Sequence, residues 1–69
     1  MKKLTKKKLA AYITGVYAAK SVDMSINVMD IGKVFKMAED MYAITGELAA
    51  VDAAVEKAVA KYCIPNAAL

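Results

Sequence analysis

The sequence predicts an all-α fold, a small three-helix bundle with helices over about 5–20, 28–45 and 47–63. Three observations predict it. Apolar residues recur at three- and four-residue spacing through each span, the period of one helix face. Residues suited to helix boundaries stand between the spans: Thr5, Asn27, Gly46 and Pro65. The chain has 69 residues and no Ser/Gly/Pro-rich linker, which leaves room for one domain and one core.

Residues 1–8 form a basic N-terminal arm. Thr5 is placed to cap helix one, because its hydroxyl can accept a free first-turn amide. Leu9, Tyr12, Ile13 and Val16 then make one apolar stripe. The opposite side is small: Ala11, Gly15 and Ala18, with Thr14 beside them. Leu9–Ala19 contains no charge at all. A helix without a charged face is normally covered all round. Small residues at this spacing also allow another helix to come close.

Residues 21–29 have a different rhythm. Val22, Met24, Ile26 and Val28 alternate with Asp23, Ser25 and Asn27, the period of a half-buried strand. A solitary strand has no ladder partner in its own chain. The alternative fold is therefore a strand at 22–28 pairing between copies, a ribbon-helix-helix-like dimer in element order only. Asp, Asn and Ser disfavour strands, so a loop or helical turn is equally open.

Helix two is the cleanest amphipathic segment. Ile31, Val34, Phe35, Ala38, Met41, Tyr42 and Thr45 fill one half of its wheel. Gly32, Lys33, Lys36, Glu39, Asp40 and Ala43 fill the other. Asn27 is its expected N-cap. Lys36 and Asp40 form an i,i+4 pair. Gly46 is placed to end the helix in the left-handed region, and either a corner or a kink follows. Helix three has the stripe Leu48, Val51, Val55, Ala58, Val59 and Tyr62, with a small side of Ala49, Ala53 and Ala60. Pro65 disfavours helix at Ile64 and leaves a short tail, 64–69.

Composition narrows the function. There is no His and one Cys, Cys63, so neither an internal disulfide nor zinc-ligand spacing is available. Cys63 has no imidazole to activate it and reads as a small hydrophobe in a reducing compartment, which gives a cytoplasmic expectation. No glycine-rich phosphate loop is present. The close carboxylates, Glu39-Asp40 and Asp52/Glu56, fall on polar faces. No catalytic residue, cofactor or metal is expected.

The N-terminus superficially resembles a secretion signal, but Tyr12, Thr14, Gly15 and Tyr17 interrupt its apolar stretch. No run approaches the ~20 apolar residues of a membrane span. The lysines precede the apolar part of helix one and do not flank it, so a membrane-surface role is not expected.

Charge is divided unevenly. Residues 1–20 hold six lysines and no acid, while residues 21–69 hold four lysines and seven acids, a split of +6 against −3. With 59% apolar residues in so short a chain, much apolar surface must find cover outside one small core.

These features predict a non-enzymatic interaction module that binds and modulates a macromolecular partner, a protein, as a homodimer. The expected partner-binding residues are Lys2, Lys3, Lys6, Lys7, Lys8, Lys33, Lys36 and Asp40. The expected dimer contacts are Ala11, Gly15, Ala18, Met24 and Ile26. The alternative is a dimeric nucleic-acid-binding regulator, with the lysine arm on phosphates and Ser25 and Asn27 on bases. The chain has no arginine, so the commonest guanine contact is missing. A helix-turn-helix centred on Gly46 would need small and apolar residues where Tyr42 and Asp52 stand.

Overall fold

Helix boundaries in the structure follow from the capping residues. A computed structural model describes residues 4–68. The elements are α1 (Lys6–Lys20), β1 (Met24–Ser25), α2 (Val28–Thr45), α3 (Leu48–Tyr62) and β2 (Ile64–Pro65), closed by a 3₁₀ turn at Asn66–Ala68. The fold is the three-helix, all-α bundle that the periodicity predicts. Lys6, Lys7 and Lys8 are the first turn of α1 and not a separate arm.

Thr5 caps α1 by accepting the Lys8 amide at 3.3 Å. Asn27 caps α2 by accepting the Met29 amide at 3.0 Å. Gly46 ends α2 with φ 68°, its amide donating to the Tyr42 carbonyl at 2.8 Å. That left-handed residue turns the chain sharply, so the connection is a corner, not a kink. α2 and α3 then run antiparallel and share the most extensive contact in the fold.

α1 lies mainly on α3 and touches α2 least. Its direction is fixed by contacts at both ends. The Leu4 amide donates to the Tyr42 hydroxyl at 3.0 Å, and the Tyr12 hydroxyl donates to Asp52 at 2.7 Å. Tyr17 reaches Cys63 at the far end. α1 and α3 are therefore parallel, and α3 is the central helix.

Centrality explains which residues are buried. α3 contributes Val51, Ala54, Val55, Ala58 and Val59. Ala54 lies off the apolar stripe read from the sequence, because a helix contacted from two sides buries a wider arc. α2 contributes Val34, Ala38 and Tyr42, and α1 only Leu9 and Ile13. Ile13, Val34, Val51 and Val55 are the largest fully enclosed side chains. Met41, Thr45 and Leu48, expected on apolar stripes, are exposed at the α2–α3 corner.

The 21–29 segment corrects the intermolecular ribbon. Its strand is confined to Met24 and Ser25, which pair antiparallel within the same chain, Met24 opposite Pro65 and Ser25 opposite Ile64. The physical reason is Pro65. It keeps Ile64 out of helical geometry, so the chain leaves α3 extended and close to the α1–α2 connection. Proline is tolerated because this ladder is all edge. The Asn66 amide donates to the Asp23 carbonyl at 2.9 Å, and Ser25 meets the Asn66 side chain. The expected short tail, 64–69, thus forms a clasp at Ile64–Pro65 that closes in the 3₁₀ turn at Asn66–Ala68.

Two stability changes follow. Gly46→Ala has open space for its methyl but puts a Cβ at φ 68°; it should cost about 1–2 kcal/mol in urea denaturation. An unchanged midpoint would contradict a left-handed corner. Val55→Ala removes two enclosed methyl groups at the centre of α3 and should cost about 2 kcal/mol. A loss below about 0.5 kcal/mol would show that Val55 is not in the shared core.

Candidate interaction surface

The α1 surface away from the core is built by helical periodicity alone. Leu9 and Ile13 turn one stripe inward, and Ala11, Thr14, Gly15, Ala18 and Ala19 are left exposed. A Cβ at Gly15 would meet nothing within 4 Å. The Thr14 hydroxyl donates to the Ala10 carbonyl at 2.8 Å, so it is satisfied inside the helix. The face carries no charge and no free side-chain donor. Helix one is covered on one side only.

Charge stands at the two ends of this face. Lys6, Lys7 and Lys8 are exposed in the first turn, where no acidic residue accompanies them. Beyond the other end, three residues after α1 closes at Lys20, Asp23 is exposed and holds φ 59°. Lys20, between Asp23 and the face, lies 3.9 Å from Glu56. Gly15 stands midway in sequence between Lys7 and Asp23.

The other expected contact residues are placed differently. Lys33 is paired with Asp30 at 3.2 Å and lies 5.7 Å from the Tyr62 ring centre; Lys61 lies 5.3 Å from the same ring. Lys36 and Asp40 approach to 3.9 Å. These three expected partner residues belong to α2 and already have neighbours on their own chain. Lys2 and Lys3 lie outside the described residues.

Met24 and Ile26 are not presented for docking; both are half-buried against the chain's own core. Their alternation turns them inward while Val22 and Val28 point out, at 66% and 81% exposure. Ser25 and Asn27 are also engaged, one with Asn66 and the other as the α2 cap. Base reading by an intermolecular ribbon therefore lacks its geometry here.

One surface feature is not legible in local sequence. Val22, Val28, Met29 and Ile64 gather where α1 ends, α2 begins and β2 pairs with β1. Their apolar character was legible, but the clasp that brings them to one pole is long-range. Among the described residues, no three His, Cys, Asp or Glu side chains could hold a metal ion together. No helix among them is long and apolar enough to cross a membrane.

The α1–α3 seam is where titration touches the structure. Tyr12 has its phenol pushed above the ordinary value of 10.0, first by its hydrogen bond to the Asp52 carboxylate, then by burial and by the carboxylate's charge. Tyr17 is raised by burial first and then by its contact with Cys63, while Ser21 opposes the shift. Cys63 is buried, with its sulfur 3.9 Å from the Tyr17 hydroxyl.

Comparison of the chain with protein-family models, with curated proteins and with solved structures finds no match.

The Tyr12 bond has a defined pH signature. A phenol raised in the folded state stabilises the fold fully below its unfolded value, near 10, and loses that contribution as pH rises through the folded value. Tyr12→Phe should cost about 0.5–1.5 kcal/mol at neutral pH. It should also lose part of the decline in stability above pH 10. Parallel stability–pH curves for the two proteins would contradict the assignment.

Proposed function

We propose that this chain is a non-enzymatic interaction module that works as a homodimer through the outer face of α1, and in that form binds and modulates a protein partner. The observation that carries the reading is the uncharged face at Ala11, Gly15 and Ala18, open to solvent while the Leu9 and Ile13 stripe of α1 is buried in the core. Small residues let two helix backbones approach closely, and burying an uncharged face leaves no charge without a partner. The apolar composition and the small core support the same reading.

Charge favours one arrangement of the two copies. Laid antiparallel and centred on Gly15, Lys7 and Lys8 of one copy face Asp23 of the other, and the two-fold axis repeats the contact. The helix dipoles also oppose one another in this arrangement. A parallel arrangement would set the three first-turn lysines against their own copies. Lys6, with Lys2 and Lys3 before it in the sequence, is proposed as the electrostatic handle for an acidic protein surface. Location within the cell is proposed as cytoplasmic, because the chain's one thiol is unpaired.

Light scattering tests the dimer. At tens of micromolar the mass should be twice 7.4 kDa; a mass of one chain throughout would overturn the proposal. Gly15→Leu separates docking from folding. It should raise helix propensity in the lone chain, while filling the space a second helix needs, so the mass should fall with helicity retained. Asp23→Lys should weaken dimerisation, and adding Lys7→Asp and Lys8→Asp should restore it. A dimer indifferent to charge but broken by Gly15→Leu would keep the face and reject the antiparallel arrangement.

A further inference from the structure

We draw no further inference here: the strongest candidate, the apolar pole of Val22, Val28, Met29 and Ile64 around the β1–β2 clasp, carries nothing because the structure does not show what covers it.

Discussion

The contact of Leu9 and Ile13 with α3 is the constraint on which the rest depends. These are the two buried α1 side chains, and Tyr12, Val16 and Tyr17 pack beside them against the core. α2 and α3 hold one another through an antiparallel pairing set by Gly46, whereas α1 has one narrow stripe and few contacts with α2. Hydrogen bonds reinforce that stripe along the α1 side, from Leu4–Tyr42 at one end through Tyr12–Asp52. Each is worth about 1 kcal/mol net. α1 is therefore attached to a helical hairpin and is not enclosed by it. The same one-sided attachment leaves Ala11, Gly15 and Ala18 in water. The proposed docking would have the same origin as this one-sided attachment, a shortage of apolar partners within the chain.

Much of the architecture was written locally. Thr5, Asn27 and Gly46 act within a few residues of themselves, so their roles at helix ends were legible before any tertiary contact. The α2 wheel was similarly clear, because charged residues marked its outer side. Helix one gave no such mark. Its lack of charge suggested cover on every side, yet the core uses one stripe and leaves the small side open. The breadth of the α3 core was also hidden. Ala54 is buried because α3 is contacted from two directions, and one helix's periodicity does not contain the position of its neighbours.

The clasp marks the sharpest limit of local reading. Alternation at Val22–Val28 correctly signalled extended backbone at Met24–Ser25, but it could not supply the strand opposite. That partner arrives from residues 64–65, some forty positions later, through the geometry imposed by Pro65. The candidate site suffered in the same way. The small face of α1 and its flanking lysines were readable, while Asp23 gained meaning only from its place beyond the end of that face. Met24 and Ile26, expected as dimer contacts, are turned by the clasp onto the chain's own core.

Amide hydrogen exchange followed as a function of protein concentration tests the one-sided attachment of α1 most directly. Exchange through local opening reports the free energy that holds each helix, and the proposed second copy on the open face would add to it by mass action. At low concentration α1 amides should exchange faster than those of α2 and α3. Their protection should then rise with concentration until it approaches that of the hairpin. Protection of α1 equal to that of α3 and independent of concentration would contradict the account.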